Sequence, residues 1–206
     1  MKQNIDKLNK RILEISIKHK LSHLGSCFTA LPIIYEIYSS KRQQDKFVLS
    51  SGHAGLALYV VLEHFYGVDA EHLLEKHGIH PERDLENFID VSTGSLGLGI
   101  TIASGIAIAN PNIDVYCLIS DGESAEGSVW ESLRFLEENK INNIKIYANI
   151  NGWAAYKKVD TNKLANRLIS FYPEINLRFT DVNETVQFET PLSAHYTMAN
   201  TNMIIK

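Results

Sequence analysis

The sequence predicts a three-layer α/β domain with a mainly parallel central sheet, and three observations carry that expectation. Apolar runs at 47–49, 115–119 and 144–150 are short, continuous and followed at once by polar or glycine residues. Strands buried on both faces of a parallel sheet have that appearance. Val129, Trp130, Leu133 and Leu136 lie at helical spacing between the second and third runs. Strand, helix, strand over 115–150 makes one crossover, and a crossover joins parallel strands.

The remaining elements follow in chain order. Ile5, Leu8, Ile12 and Ile15 share one helical face, so 4–19 reads as an amphipathic helix. A polar turn at Ser22-His23-Leu24-Gly25-Ser26 ends it. Thr29 is expected to cap a second helix, with Pro32 in its first turn and Ile33, Ile34 and Ile37 buried. After the strand at 47–49 comes Ser50-Ser51-Gly52-His53-Ala54-Gly55, then an apolar helix from Leu56 to about Phe65. Asp69 caps a shorter helix bearing Leu73 and Leu74. Thr93-Gly94-Ser95-Leu96-Gly97-Leu98-Gly99 opens an apolar helix ended by Asn110-Pro111. Gly97, Thr101, Gly105 and Ala109 form a stripe of small residues there, and the helix reads as buried all round. Leu164, Leu168 and Ile169 mark one more helix, and 176–179 a further strand. From Asp181 onward no chemical pattern stands out, and the end reads as a peripheral tail.

Bulk properties narrow the function. At 206 residues with no linker, repeat or low-complexity block, the chain is expected to form a single domain over 1–206. No stretch approaches the ~20 apolar residues of a membrane helix, and the N-terminus lacks the apolar core of a signal peptide. The net charge of −4 is dispersed, which argues against a nucleic-acid surface. Cys27 and Cys117 are too few for a disulfide framework. A cytoplasmic location is the expectation.

The chemistry centres on Asp121 and Asn151. Each lies just past the end of an expected strand, and ligands in parallel α/β sheets bind outside those ends. Their oxygens are hard donors suited to Mg²⁺, which commonly shares its shell with phosphates. The pair therefore reads as an anchor for a diphosphate. Gly52 leading from a strand into a helix is a weaker anion-site signal.

Several segments together resemble the N-terminal, diphosphate-binding half of the transketolase family. His23-Leu24-Gly25-Ser26 is similar to its His-Pro-Gly-Ser, and residues 45–53, ending Ser50-Ser51-Gly52-His53, resemble Asp-Arg-Phe-Val-Leu-Ser-Lys-Gly-His. His80-Pro81-Glu82 followed by 93–99 looks like His-Pro-Glu and Thr-Thr-Gly-Pro-Leu-Gly-Gln-Gly. Ser120-Asp121-Gly122, with Asn151 thirty residues after Asp121, resembles the thiamine-diphosphate signature of Gly-Asp-Gly and a later Asn. The likeness runs over about 20–153, and 154–206 look shortened against the family.

The resemblance implies a set of roles. Asp121, Asn151 and the Trp153 carbonyl would ligate Mg²⁺ or Ca²⁺, and Gly122 would approach the diphosphate of thiamine diphosphate. Gly94 and Leu96 would contact the aminopyrimidine ring. His23, His53 and His80 would gather near the thiazolium for substrate hydroxyls, proton handling and, at His53, a cofactor contact. Glu126 would sit against the partner domain, near the carboxylates that activate the cofactor. His19, His64, His72, His77 and His195 read as ordinary histidines, Trp130 as core packing, and Glu137-Glu138 as a solvated face. Glu123 is assigned no role.

Departures from the family pattern are local. Ser120 stands where the family has Gly, Leu24 and Ser95 where it has Pro, Ser51 for Lys and Leu98 for Gln. The pyrimidine-binding domain has no counterpart. The resemblance thus implies the diphosphate subunit of a split transketolase, moving a two-carbon ketol unit from ketose to aldose. It would work with a separately encoded pyrimidine-domain subunit in an α₂β₂ heterotetramer, on sugars or sugar phosphates. Two alternatives stand beside it: a subunit of a 2-keto-acid decarboxylating or acyl-transferring thiamine-diphosphate enzyme, and a degenerate non-catalytic assembly subunit.

Overall fold

The computed structural model describes residues 1–154, 157–188 and 193–206, and the side chain of His195 falls outside what it describes. Its centre is a four-stranded, wholly parallel sheet in the order β1 (Lys46–Leu49), β2 (Val115–Ser120), β3 (Ile144–Ile150) and β6 (Asn176–Phe179). A small antiparallel hairpin, β4 (Trp153–Ala154) with β5 (Lys157–Lys158), stands beyond the end of β3.

Strand side chains alternate between faces, and two cores divide accordingly. Phe47, Leu49, Tyr116, Leu118 and Tyr147 pack against α1 (Lys2–His19), α2 (Leu24–Ser40), α3 (Gly55–Tyr66) and α4 (Ala70–His77). Val48, Cys117, Ile119, Ile146, Ala148 and Ile150 face the other way. They meet α5 (Leu98–Ala109), α6 (Gly127–Glu138) and α7 (Thr161–Phe171). Each Leu or Ile buried in this way contributes about 1.5–3 kcal/mol relative to exposure. Helices on both faces explain why the strands read as continuous apolar runs, and they give the three layers expected.

Three local expectations are corrected. The helix expected to start at Thr29 begins at Leu24, with His23 before it in the left-handed region at φ 62°. Thr29 lies inside α2, its hydroxyl donating to the Gly25 carbonyl at 2.8 Å. Mid-helix Thr commonly satisfies itself that way. Pro32 is therefore in the helix interior, and the Phe28 carbonyl lacks its usual i+4 donor.

The second correction concerns α5, which is not buried all round. Ile100, Ala103 and Ala107 face the sheet, while Leu98 (52%), Ile102 (40%) and Ile108 (51%) are exposed. Thr101, Gly105 and Ala109 of the small-residue stripe are exposed with them. Third, the end of the chain is not a peripheral tail. Val182, Val186, Phe188, Ala194 and Ala199 join the core beneath α2, and Ala199 N–H donates to the Leu21 carbonyl. A short helix, α8 (Ser193–Tyr196), seats Ala194 against Gly25, where an added Cβ would stand 3.0 Å from that of Ala194.

Close backbone approach decides one glycine. A Cβ on Gly52 would lie 2.7 Å from the Thr93 carbonyl carbon and oxygen. The Thr93 hydroxyl, donating to Leu49 O at 2.7 Å, pins that neighbouring loop to the end of β1. Gly52→Ala is expected to cost about 1–3 kcal/mol, read as a lower urea midpoint, because backbone rather than a flexible side chain must move.

Candidate functional site

The carboxyl ends of β1, β2, β3 and β6 emerge at one edge, and a cavity of about 290 Å³ opens over them. Asp121 directly follows β2, and Asn151 directly follows β3. The register pairs Ser120 with Asn149, which brings the two turns side by side. Both residues line the cavity with His23, His53, Gly94, Leu96, Gly122, Glu126 and Trp153. His80 does not line it. That residue is exposed and packs behind Gly94, where an added Cβ would come 3.2 Å from the imidazole Cγ.

Asp121 is 3% exposed. One carboxylate oxygen accepts the Gly152 N–H at 2.6 Å and the Trp153 N–H at 3.2 Å. The other accepts the Gly122 N–H at 3.1 Å. Burial nevertheless pushes the carboxyl up from 3.8 to about 6, against those backbone donors. A desolvated carboxylate that faces a cavity and, among the described residues, has no cationic side-chain partner fits a bound cation. The Asn151 side-chain oxygen Oδ1 accepts the Trp153 N–H at 3.0 Å, and the residue lines the same cavity. Asp121 and Asn151 thus bring oxygen donors of the kind Mg²⁺ or Ca²⁺ accepts to one cavity, with Trp153 beside them.

Between pH 3.8 and about 6 Asp121 in the folded chain holds a proton that the unfolded chain has released. Its contribution to stability is full below the unfolded value and is lost as pH rises through about 6. A cation bound at Asp121 would have to displace that proton. Apparent Mn²⁺ affinity, followed by electron paramagnetic resonance, is expected to fall about tenfold per unit below pH 6.

His23 and His53 face each other with ring centroids 6.5 Å apart. The His23 Nδ1 lies 3.0 Å from the Ser22 hydroxyl. Glu126 is exposed and immediately precedes α6.

Several contributors went unassigned from sequence. Glu123 is fully buried at 0% exposure. Its Oε1 accepts the Ser50 hydroxyl at 2.6 Å and the Gly97 N–H at 2.9 Å, and its Oε2 accepts the Ser120 N–H at 3.1 Å. One carboxylate therefore ties together the turns after β1, before α5 and after β2, and each turn contributes cavity-lining residues. Burial raises its pKa, opposed by those three donors. Ser120, the departure from Gly, returns the contact: its hydroxyl accepts the Glu123 N–H at 3.4 Å.

Thr29 and Asn149 also line the cavity. The Thr29 hydroxyl oxygen accepts the side-chain N–H of Asn149 at 3.0 Å, and Thr180 donates to the other end of that amide at 2.6 Å. Asn149 and Asn151 at alternate positions were the available signal, because residues two apart at a strand end share a face. Asp181, Val182 and Ala194 close the wall from the C-terminal segment.

Among the histidines expected to be ordinary, His19 Nε2 meets Glu71 at 2.6 Å and His77 Nε2 meets Asp84 at 3.1 Å, both away from the cavity. Trp130 donates to the Ser124 carbonyl and packs edge-on against Phe171. Glu137 and Glu138 are exposed.

A ligand-binding α/β domain, with its cavity at the carboxyl edge of a parallel sheet, is the class that fold and site define. The chain belongs to the family of the transketolase thiamine diphosphate binding domain, whose model matches residues 18–161. That match extends slightly beyond the 20–153 over which motifs were legible. Human transketolase is 42% identical over 118 residues, covering 52% of this chain and 19% of that protein. Bovine transketolase-like protein 2 is 34% identical over 151 residues, 63% of this chain and 24% of its own length. One subunit of the apulose-4-phosphate transketolase of Phocaeicola vulgatus is 33% identical over 159 residues, 68% of this chain and 56% of that protein. The chain thus spans about a quarter or less of the full-length transketolases and about half of that Phocaeicola polypeptide. The solved transketolase of Leishmania mexicana shares the fold, with a TM-score of 0.63 at 18% identity over 88% of this chain and 37% of that one. Among the described residues no helix is long and apolar enough to cross a membrane.

Proposed function

We propose that this chain is the diphosphate-binding subunit of a split, thiamine-diphosphate-dependent transketolase. It acts as one diphosphate-binding domain over 1–206, inactive until a separately encoded pyrimidine-domain subunit completes an α₂β₂ assembly. The complex then moves a two-carbon ketol unit from a ketose to an aldose. The carrying observation is the convergence of Asp121, Asn151, Gly122, Gly94, Leu96, His23 and His53 on one cavity, in a chain of this family. A relative named as one subunit of a transketolase supports the split arrangement. The two buried, free thiols of Cys27 and Cys117 suit a reducing, cytoplasmic setting.

Each residue has a distinct task in this reading. Asp121, Asn151 and the Trp153 carbonyl hold Mg²⁺, and the Gly122 turn lets the diphosphate come close to backbone. Gly94 and Leu96 seat the aminopyrimidine. When bound, the cofactor supplies a nucleophilic carbon and an electron sink. His23 and His53, on one wall of the cavity, bind sugar hydroxyls and carry protons near neutral pH. His80, expected at the substrate, packs behind Gly94 and in this reading steadies that turn. Glu126, exposed beside the cavity, meets the partner subunit.

The test is reconstitution with the pyrimidine-domain subunit, supplying thiamine diphosphate and Mg²⁺. Turnover of a ketose phosphate with an aldose acceptor is expected from the complex and from neither component by itself. Turnover of pyruvate but of no ketose would overturn the transketolase reading.

A further inference from the structure

A second cavity, of about 240 Å³, opens beside the first between α6, α7 and the β4–β5 hairpin. Lys157, Lys158, Lys163 and Arg167 all line it, over an apolar floor of Trp130 and Leu164. Two carboxylates share the lining, and both are engaged with backbone. Asp160 accepts the Lys163 N–H at 3.0 Å as the cap of α7, and Asp121 is held by Gly152 and Trp153. Among the described residues no salt bridge joins any of the four cations to an acid. The amino end of α7 also lies at this cavity, adding its partial positive charge. Four cations against two backbone-engaged carboxylates leave the lining net positive, which favours an anion there.

We infer that this cavity is a binding site for a phosphate-class dianion, held by Lys158, Lys163 and Arg167, with Lys157 shared between both cavities. Arg167 offers the planar fork that meets two phosphate oxygens at once, and the lysines supply point charges. Trp130 and Leu164 leave room for a short carbon skeleton on the phosphate. The ligand is therefore inorganic phosphate or the phosphate end of a small metabolite. The inference does not depend on the thiamine diphosphate reading, because Lys158, Lys163 and Arg167 do not line the first cavity.

The test is calorimetric titration of the 206-residue chain with inorganic phosphate and with ribose 5-phosphate, in EDTA and at low ionic strength. Saturable binding is expected, weakening with added salt. The Lys163→Gln/Arg167→Gln double variant changes only exposed residues and should keep its circular dichroism. It is expected to bind about tenfold or more weakly, as lost charge-assisted hydrogen bonds do, while Lys163→Arg/Arg167→Lys retains binding. Tighter binding of ribose 5-phosphate identifies a phosphate ester as the ligand, and equal binding identifies free phosphate. Either outcome supports the site. Absence of saturable binding overturns it, as does binding that survives the double variant or that Asp121→Asn abolishes.

Discussion

Asp121→Asn is expected to weaken thiamine diphosphate binding by the Mg²⁺-loaded complex more than about 100-fold while leaving the fold intact. Removing groups that merely orient metal ligands costs about 10–100-fold, and a ligand itself costs more. The Asn carbonyl oxygen still accepts from Gly152 and Trp153, which bond the same Asp121 oxygen at 2.6 and 3.2 Å. Its NH₂ end faces the Gly122 N–H. Asp121→Ala differs. It leaves buried donors unpaired, at about 1–3 kcal/mol for each donor left unsatisfied, so the melting temperature falls along with binding. The contrast between the two variants separates a metal ligand from a structural carboxylate.

The second large effect lies at Glu123. Truncation to Ala strands the Gly97 and Ser120 N–H groups and the Ser50 hydroxyl in a site of 0% exposure. A loss of about 3 kcal/mol or more is expected, some 6–12 °C in thermal melting for a chain of this size. Glu123→Gln should cost less. Its oxygen replaces Oε1 for Ser50 and Gly97, and only the Ser120 contact turns repulsive. The raised pKa of Glu123 points the same way, because burial already disfavours the charge that Gln removes. Cofactor affinity should drop as well, since the turns bearing His53, Leu96 and Asp121 are tied through this one side chain.

Much of the fold was legible because burial on both faces leaves a strong imprint. The runs at 47–49, 115–119 and 144–150 became β1, β2 and β3 almost unchanged. Asp69 caps α4 through its own side chain, as expected. Helix starts without such a cap were harder to see. Glycine and serine after His23 look like a turn, yet the apolar residues from Leu24 onward are buried against the sheet, and packing outweighs local propensity there.

For α5, composition reports how apolar a helix is, not whether its cover belongs to the same chain. Leu98, Ile102 and Ile108 consequently read as buried and are exposed. The C-terminal segment failed for the opposite reason. Val186, Phe188, Ala194 and Ala199 are too irregularly spaced to show a period, and tertiary contacts alone bury them. In the site, polar residues at strand ends were visible as such. Glu123 was not, because an acid in a helical turn after Gly is ordinarily solvated. Only the meeting of three turns shows otherwise.

The most direct test of the central claim is calorimetric titration of the complex with thiamine diphosphate, with Mg²⁺ present and then replaced by EDTA. Saturable binding that requires the metal and disappears in Asp121→Asn is the result this account expects. Failure of the complex to bind the cofactor, or equally tight binding in EDTA, would contradict it.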